Sequence, residues 1–468
     1  MKNPARMLLM AGLLMASSAL SASLRYRGVN LASAEFGVDA WGVGALPGTH
    51  GIDYVYPDAA YANYSADYYL GRGMSTFRLP FRWERLQPAR LAPLDADELT
   101  RLKTTVNRLV GQGMTVVLDP HNYARYGTAV IGSTELPIKH FSDFWSRLAF
   151  EFKDSPKVIF ALMNEPHDMP TEQWVSAANA AISAIRATGA LQLILVPGNG
   201  WTGAWSWSDS WYGTPNATAM LQIADSGNNF AFEVHQYLDS DSSSNQVACV
   251  SATIGSERMQ GFTTWLRANG RKGFLGEFAG DGSSVCLSAV DDLLFHLEAN
   301  SDVYLGWTYW AGGPWWGSYV YSLEPVDGVD RPQMAVLQQH LGAPPCQPKT
   351  YEAETMYHST GSAIEGGWNI STNGYISTSH DFYGGLTPLT VVAMGSIANN
   401  AWPHMVVTVN GVKVGEATVS ATSWTQYTFQ FNASVGPQEI RVIFDNDYRA
   451  KGKDRNLYVD RVTVGCGG

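Results

Sequence analysis

Several features that mark common classes of protein are scarce or missing in this chain. Its 468 residues include 31 Lys and Arg against 42 Asp and Glu, which gives a net charge of −11. No basic cluster with interleaved aromatic residues is present, which argues against nucleic acid as a partner. No apolar run reaches the roughly 20 residues that a membrane-spanning helix needs. We therefore expect an acidic, soluble monomer that binds neither nucleic acid nor a membrane.

Cysteine is also scarce, with four residues in the whole chain. Cys249 and Cys286 lie in the larger N-terminal part, and Cys346 and Cys466 bracket the C-terminal part. Four cysteines allow three pairings. We expect the bonds Cys249–Cys286 and Cys346–Cys466, because each then closes one domain. Two isolated pairs lack the spacing of zinc ligands.

The first residues predict export. Lys2 and Arg6 precede an apolar stretch over residues 7–15, and small residues follow over 16–22. This order of a charged, an apolar and a small-residue region is typical of a secretory signal. We expect residues 1–22 to be removed and the mature protein to be extracellular, where disulfides form.

Aromatic residues, by contrast, are abundant: 16 Trp, 22 Tyr and 18 Phe make up 12% of the chain. Many of them are expected to fill the core. Clusters of Trp in loop-like segments are not explained in that way. Stacking of these flat side chains on sugar rings is the natural alternative.

Short apolar runs alternate with amphipathic stretches between residues 24 and 342. Near-continuous apolar runs indicate parallel strands covered on both faces, and eight of them predict an α/β fold, a (β/α)8 TIM barrel over residues 23–341. The predicted strands are Tyr26–Leu31, Thr76–Phe81, Met114–Pro120, Val158–Pro166, Leu193–Asn199, Phe230–Tyr237, Gly273–Phe278 and Tyr304–Trp310. The predicted helices include Asp95–Val110, Phe141–Lys153, Thr171–Thr188 and Ala289–Asn300.

The composition changes at the Pro-rich segment 342–349, which we interpret as a short linker. Residues 350–468 are rich in Val, Thr, Ser, Asn and Gly, and a turn signal stands at Asn410–Gly411. This pattern predicts a small antiparallel β-sandwich. Its strand-like runs include Met405–Val409, Trp424–Phe429 and Glu439–Phe444.

Two of the predicted barrel strands end in a carboxylic acid. Glu165 stands in Asn164-Glu165-Pro166, and Glu277 closes the run Gly273–Glu277. A single acid in such a position is usually a solvated strand end, but two acids at matching ends of a barrel predict a catalytic pair. Retaining hydrolysis of a glycoside needs a proton donor and an attacking carboxylate about 5–5.5 Å apart. We assign Glu165 as the acid/base and Glu277 as the nucleophile.

Polar residues at other strand ends predict the surroundings of this pair. Arg78 would keep the nucleophile charged, although it could instead be a structural ion-pair partner. Tyr237 would donate a hydrogen bond to the nucleophile, and Asn164 would bind the 2-hydroxyl of the sugar. His121 and His235 would bind sugar hydroxyls or the acid, although a histidine at the rim of a core is often only structural.

Tryptophans are predicted to line the substrate cleft. Trp310 would form a flat floor under the sugar ring that is cleaved. Further tryptophans follow the fifth and eighth predicted strands, and two or three of them would stack on neighbouring sugar units. These segments hold Trp201, Trp205, Trp207, Trp211, Trp315 and Trp316, and the candidates are Trp201, Trp205, Trp315 and Trp316.

With these residues in place, residues 24–342 resemble the catalytic domain of glycoside hydrolase family 5, most closely its endo-β-1,4-glucanases. All eight positions expected of that active site carry the expected residue types. Trp205 departs from the pattern, because cellulases of this family often carry His there. The matching stretches are Arg27–Leu31, Phe77–Phe81, Asp119–Asn122, Asn164–Pro166, Phe232–Asp239, Gly276–Phe278 and Trp307–Trp310.

The resemblance implies an endo-acting hydrolase of cellulose and related β-glucans that works through a covalent glycosyl-enzyme with retention. It implies no cofactor for the hydrolysis itself. A β-mannanase, or a mixed-linkage glucanase or xylanase, remains an alternative on the same scaffold. From a different class, a non-catalytic glycan-binding protein also remains open.

The C-terminal part resembles the Ca²⁺-dependent xylan-binding modules of families 36 and 60, and this implies that it binds a second plant cell-wall polysaccharide. Oxygen ligands for Ca²⁺ could come from residues near its end, although such density of Asp and Asn is often only a solvated turn. The opening Tyr351–Glu354 resembles other sandwich modules that hold a structural calcium. The first candidate cluster is Asp445, Asn446, Asp447, Asp454 and Asn456, and the second is Glu352, Glu354 and Asp460.

Overall fold

A computed structural model describes residues 24–39, 44–57, 66–341, 348–450 and 452–465. The chain forms two compact units, residues 1–344 and 345–468. The predicted export signal, most of the predicted linker and the predicted Cys346–Cys466 bond lie outside the described residues.

Eight parallel strands close into a barrel in the N-terminal unit, which confirms the predicted fold. Each strand pairs with its neighbours in the sequence, and the last strand pairs with the first. The strands are β1 Tyr26–Leu31, β2 Thr76–Phe81, β3 Thr115–Pro120, β4 Val158–Ala161, β5 Ile194–Pro197, β6 Phe230–His235, β7 Gly273–Glu277 and β8 Tyr304–Gly312.

The alternation of side chains along the strands builds two apolar layers. One set of side chains fills the interior of the barrel, and the other set packs against the surrounding helices. In β3, Val117 belongs to the interior layer, whereas Val116 and Leu118 belong to the outer one. The interior layer comprises Tyr26, Val117, Ile159, Ala161, Leu195, Ala231 and Phe274.

Helices surround the barrel, and side-chain caps fix the start of two of them. Asp95 accepts a hydrogen bond from the backbone of Glu98, so the helix starts just after it, as predicted. The predicted helix Ala289–Asn300 begins five residues too late, because Ser283 caps it at Ser284. The helices are Ala66–Gly71, Trp83–Leu86, Ala96–Gly111, Ile138–Phe152, Thr171–Ala187, Asn216–Ala219, Ile254–Ala268, Ser284–Ala299 and Pro332–Gln339, with a 3₁₀ turn at Met220–Gln222 and a small hairpin of Arg125–Tyr126 with Ala129–Val130.

Among the helices that the structure describes, none is both long enough and apolar enough to cross a bilayer.

The fourth strand is shorter than the sequence predicts. It ends at Ala161, although the backbone N–H of Leu162 still donates to Leu195 and that of Asn164 to Pro120 on the two neighbouring strands. Glu165 adopts a left-handed backbone with φ of 41°. The predicted acid/base therefore stands on a loop directly beyond the strand, at the carboxyl end of the barrel.

The C-terminal unit is antiparallel, and nine of its strands join into one sheet. Two strands, Gly374–Gly395 and Thr425–Phe444, pair with each other over nearly their whole length. His404–Val409 pairs beside one end of this long ribbon, and Leu457–Val464 pairs beside the other end. Side chains from both ends meet in a single core, so the ribbon folds over into the two layers of a sandwich.

The long ribbon also corrects one strand prediction. Trp424–Phe429 and Glu439–Phe444 were expected as two strands, whereas the structure has the single strand Thr425–Phe444. Gly436 and Pro437 lie inside it, and Gly436 has φ of 106°. They mark a bend between the layers rather than a chain reversal.

Asn410 and Gly411, with φ of 46° and 76°, do form the predicted tight turn. The remaining strands of the unit are Lys349–Glu352, Tyr357–His358, Ser362–Ile364, Gly367–Ile370, Val412–Thr418, Tyr448–Ala450 and Lys453–Arg455, with a 3₁₀ turn at Ala353–Thr355.

A disulfide joins Cys249, in the segment after β6, to Cys286 in the helix Ser284–Ala299. The two cysteines are 37 residues apart in the chain. Cross-linking a loop of this length restricts the unfolded chain and stabilises a fold by about 2–4 kcal/mol.

We predict that the double substitution Cys249→Ser and Cys286→Ser lowers the melting temperature without changing the secondary structure. The substitution removes a restraint on the unfolded chain and leaves the other contacts of the folded chain in place. Thermal unfolding followed by circular dichroism measures the change. Chemical reduction of the native protein should produce a matching shift, and an unchanged melting temperature in both experiments would contradict the prediction.

Candidate active site

A cleft of about 580 Å³ lies at the carboxyl ends of the strands, and it brings most of the predicted site residues together. Both predicted catalytic acids line it, together with Asn164, both predicted histidines, Tyr237 and three of the predicted tryptophans. The lining residues are His121, Tyr123, Asn164, Glu165, Gly200, Trp201, Gly203, Trp205, Trp211, His235, Tyr237, Asp241 to Asn245, Glu277 and Trp310.

Glu277 is buried and held at both carboxylate oxygens. Arg78 donates to its Oε1 at 2.9 Å, and the hydroxyl of Tyr237 donates to its Oε2 at 2.8 Å. Burial, and then the negative charge of Glu277, raise the pKa of Tyr237 well above its ordinary value. The phenol therefore keeps its proton and remains a donor. These contacts stabilise a carboxylate and fix its direction.

Glu165 has a different environment. Its Oε1 lies 2.6 Å from Nδ1 of His235, and its side chain is partly open to the cleft. One oxygen of Glu165, one oxygen of Glu277 and a ring nitrogen of His235 all lie within 4.8 Å of one another. The three groups could in principle bracket a cation, but the guanidinium of Arg78 already lies against Glu277 and would repel it.

Arg78 is the centre of the site and is fully buried. Besides Glu277, its Nη1 reaches Asn30 at 2.9 Å and Asp119 at 3.1 Å. Its Nη2 donates to Asn164 at 2.8 Å, and its Nε lies 2.9 Å from Glu233. A planar fork of five N–H donors is suited to holding several partners at fixed angles.

A chain of hydrogen bonds orients Asn164. Its Oδ1 accepts from Arg78, and its Nδ2 lies 3.1 Å from Nε2 of His121. The Nδ1 of His121 lies 2.8 Å from Asp119. Burial lowers the pKa of His121 well below its ordinary value, so the ring is neutral. A neutral ring with its proton on Nδ1 donates to Asp119 and accepts from Asn164, which fixes both side chains.

Aromatic side chains form the walls of the cleft. Trp310 stacks on His121, with ring centroids 5.4 Å apart and an angle of 18° between the planes. Trp201 lies flat on His167 at 4.4 Å and 7°. Trp205 projects into the cleft and is 44% exposed. These faces offer platforms for sugar rings.

Two of the predicted substrate-binding tryptophans do not line the cleft. Trp316 packs edge-on against Trp310 and donates from its indole to the carbonyl of Gly312, so it supports the platform from behind. Trp315 is 43% exposed but lies outside the cleft lining. Of the other two tryptophans in the segment after the fifth strand, Trp211 lines the cleft 6.1 Å from Trp201, and Trp207 is buried. The positions of tryptophans along a loop do not determine which indole rings face the cleft.

Four residues of the site were missed by sequence reasoning. Asn30 and Tyr123 carried no distinctive signal beyond their place near strand ends. Asp119 and Glu233 are fully buried acids within apolar strands. An acid inside a run such as Phe230–His235 is a signal that could have been used, because an unpaired charge is rarely buried.

The candidate calcium ligands of the C-terminal unit separate into two kinds. Asp445 lies 2.8 Å from a ring nitrogen of His404, and the side chain of Asn446 is engaged with His404 and Trp402. Oxygens of three others are buried and accept no hydrogen bond from the residues that the structure describes. They are Oδ1 of Asp447, Asp454 and Asn456.

These three oxygens belong to one short hairpin. Tyr448 pairs with Arg455 and Arg449 pairs with Asp454, so Asp447 and Asn456 flank the first of these pairs. In the second candidate cluster, Glu352 and Glu354 are exposed, and Asp460 is paired with Arg461 at 2.5 Å.

The fold and the site together define a barrel glycoside hydrolase: a closed (β/α)8 barrel with two close carboxylates at the carboxyl ends of its strands. Residues 38–313 match the family described as cellulase, glycosyl hydrolase family 5. The chain belongs to this family.

Several proteins of known name are similar to the chain. Endo-beta-1,4-glucanase A of Emericella nidulans is 46% identical over 304 residues, which cover 64% of this chain and 87% of that protein. Endoglucanase 3 of Humicola insolens is 43% identical, covering 65% of this chain and 74% of that protein. The solved endo-beta-1,4-glucanase Xac0029 of Xanthomonas axonopodis pv. citri is 46% identical, with a TM-score of 0.65, over 68% of this chain and 98% of that one.

The C-terminal unit matches a second family. Residues 388–467 match the module family CBM60, described as a Ca-dependent carbohydrate-binding module that binds xylan. These two matches confirm the families that the sequence analysis indicated, glycoside hydrolase family 5 for the N-terminal part and a Ca²⁺-dependent xylan-binding module for the C-terminal part.

We predict that Arg78→Lys lowers kcat about 100-fold or more, because one ammonium cannot replace a fork that holds five partners. The rate on soluble carboxymethyl-cellulose and the melting temperature measure the effect, and both should fall. Arg101→Lys is the control, because Arg101 pairs with Glu98 on a helix surface. A change of only a few-fold in the Arg78 variant would contradict the central role of this residue.

Proposed function

We propose that the protein is a secreted endo-β-1,4-glucanase that hydrolyses internal bonds of cellulose and related β-glucans with retention of configuration. The observation that supports this proposal most directly is the closeness of Glu165 and Glu277. One carboxylate oxygen of Glu165 lies within 4.8 Å of one carboxylate oxygen of Glu277. A retaining enzyme needs its carboxyl groups about 5–5.5 Å apart, whereas an inverting one needs about 6.5–9.5 Å to seat a water molecule. The similarity to proteins named endoglucanases supports the substrate class.

The contacts of the two acids support different roles. Glu277 receives hydrogen bonds from Arg78 and Tyr237, which aim its oxygens as a nucleophile requires. Glu165 lies 2.6 Å from a ring nitrogen of His235, within hydrogen-bond distance, and faces the cleft. It is placed to give a proton to the leaving oxygen.

In the first step, an oxygen of Glu277 forms a bond to the anomeric carbon while the bond from that carbon to the leaving oxygen breaks. The proton held between His235 and Glu165 passes through Glu165 to the leaving oxygen, and the sugar chain beyond it departs as an alcohol. Positive charge develops on the ring in the transition state, and Asn164 is positioned by Arg78 and His121 to bind the neighbouring 2-hydroxyl.

In the second step, Glu165, now a carboxylate, takes a proton from water. The oxygen of this water bonds to the anomeric carbon and the ester bond to Glu277 breaks. Two displacements at one carbon restore its original configuration. Trp310, braced by His121 and Trp316, supplies the platform beside the ring that reacts.

We predict that Glu165→Gln and Glu277→Gln each lower kcat about 1000-fold or more, because each removes a group that acts directly on the reacting atoms. Rates on soluble β-glucan measure the loss, and circular dichroism confirms the fold. A loss below ten-fold in either variant would contradict the assignment.

The two roles are distinguished by rescue with azide on an activated aryl β-cellobioside, using the Ala variants. Glu165→Ala should form a β-glycosyl azide, because azide replaces water in the second step. Glu277→Ala should form an α-glycosyl azide, because azide replaces the nucleophile. Exchanged products would reverse the assignment. Assays on mannan, lichenan and xylan test the alternative substrates.

For the C-terminal unit we propose Ca²⁺-dependent binding of a cell-wall polysaccharide, which the match to a Ca-dependent xylan-binding family supports. Asp447, Asp454 and Asn456 fit a hard cation, because their buried oxygens need a partner. The bound ion would supply a positive charge for sugar hydroxyls. Asp445 and Asn446 are less suited, because His404 already engages them.

We predict that EDTA abolishes retention of the protein on insoluble xylan and that added Ca²⁺ restores it. Asp454→Asn should weaken retention at least ten-fold because it removes charge from the site. Asp445→Asn is the matched control and should bind normally. Retention that is indifferent to both chelator and Asp454→Asn would contradict the proposal.

Export is supported by the signal-like N-terminal pattern and by the Cys249–Cys286 disulfide, since such bonds persist in oxidising compartments. A large polysaccharide is also degraded outside the cell that feeds on it. N-terminal sequencing of the secreted protein tests the predicted removal of residues 1–22.

A further inference from the structure

One buried acid of the barrel has no part in the mechanism above. Glu233 lies on β6, two residues before His235, and no part of it is exposed. It does not line the cleft, so substrate does not touch it. A buried carboxylate at this position needs a reason, because an ion loses its hydration there.

The barrel is shaped to receive this carboxylate. A Cβ atom at Gly276 would lie 2.2 Å from Oε1 of Glu233, so the missing side chain on β7 makes the space that the acid fills. From β2, Nε of Arg78 lies 2.9 Å from the same oxygen. The pair is close but poorly aligned, and neither Glu233 oxygen accepts a well-formed hydrogen bond within the described parts of the chain.

Glu233 is nevertheless an anion. Burial alone would raise its pKa, but Arg78 and His235 outweigh burial and hold that pKa below its ordinary value. The same oxygen of Glu233, Oε1, also faces Nε2 of His235 at 3.6 Å. A lone pair on Nε2 would be repelled by this charge, so Nε2 carries a proton.

The opposite nitrogen of the same ring meets the acid/base. Nδ1 of His235 and Oε1 of Glu165 are 2.6 Å apart, a distance at which the two atoms share one proton. With Nε2 already protonated, losing the shared proton removes a positive charge from the pair. The negative charge of Glu233 opposes that loss.

We propose that Glu233 is a positioning residue that fixes a proton on Nε2 of His235 and thereby retains the proton shared by His235 and Glu165. The proposal rests on the proposed role of Glu165. Burial lowers the pKa of His235, but Glu277, then Glu165 and Glu233, raise it to about 10. Glu277 loses its charge when it becomes an ester, whereas Glu233 stays charged through both steps.

Other charged and titratable groups surround the pair. Arg78 is a cation and Glu277 an anion before the reaction, while burial raises the pKa of Asp119 to about 7. His121, held neutral, and Tyr237 and Tyr123, held as phenols, also face the pair. None of them contacts Nε2 of His235 as Glu233 does.

The test is the pH dependence of kcat/KM on a soluble β-glucan for Glu233→Gln. The alkaline limb reports loss of the shared proton, and removing a negative charge makes that loss easier. This limb should therefore move to lower pH by about one unit or more, further than the acid limb moves. KM should change less than kcat, because Glu233 is outside the cleft.

Glu98→Gln is the matched control. Glu98 is also a buried carboxyl of the barrel unit, 2% exposed, and it binds Tyr54 and Arg101 away from the cleft. Its substitution should leave both limbs in place. An unmoved alkaline limb in Glu233→Gln, or a uniform loss of rate at every pH, would overturn the proposal.

A second measurement does not depend on the folding of the variant or on activity. Imidazole ¹⁵N spectra of the unsubstituted protein, with the His235 signal identified by its loss in His235→Asn, should show Nε2 protonated from pH 5 to 8. An unprotonated Nε2 would overturn the proposal even if the enzyme is active. An inactive enzyme with Nε2 protonated would instead overturn only the proposed function.

Discussion

Arg78 lies in the barrel with no exposed surface, and its positive charge favours the ionised form of Asp119 and Glu233 against the effect of burial. Its fork reaches Glu233 on one side and Asn30, Asp119, Glu277 and Asn164 on the others. Through this one side chain, β2 is joined to four other strands and to the loop after β4. A buried ion pair adds little to stability, but it fixes geometry. The nucleophile and the amide beside the acid are thereby set at angles that the strands alone would not determine.

The two proposed catalytic acids show how environment separates chemically identical groups. Glu277 is surrounded by donors, whereas Glu165 is attached to a histidine and open to the cleft. Glu233 is buried behind His235, and in our proposal it acts on this histidine rather than on the substrate. Neutral His121 and cationic His235 then lie in one cleft with opposite tasks: one ring orients Asn164, and the other holds a proton.

The C-terminal unit is proposed to bind carbohydrate through a different kind of interaction from that of the barrel. The barrel offers indole faces on which the proposed substrate would stack, so apolar contact and shape would dominate there. The candidate cation site of the sandwich would bind hydroxyl groups through charge, with Asp447 and Asp454 holding the ion. Joining two such units raises the local concentration of polysaccharide at the cleft.

The sequence by itself determined the barrel, the antiparallel module and the pair Glu165 and Glu277, because apolar periodicity and an acid at the end of a buried run are local signals. It could not show that Trp211 lines the cleft while Trp316 stands behind Trp310, since the direction of a loop side chain depends on what packs against it. Nor could it pair Glu233 with Arg78. Those residues lie on opposite strands, 155 positions apart in the chain, and only closure of the barrel brings their charges within 2.9 Å.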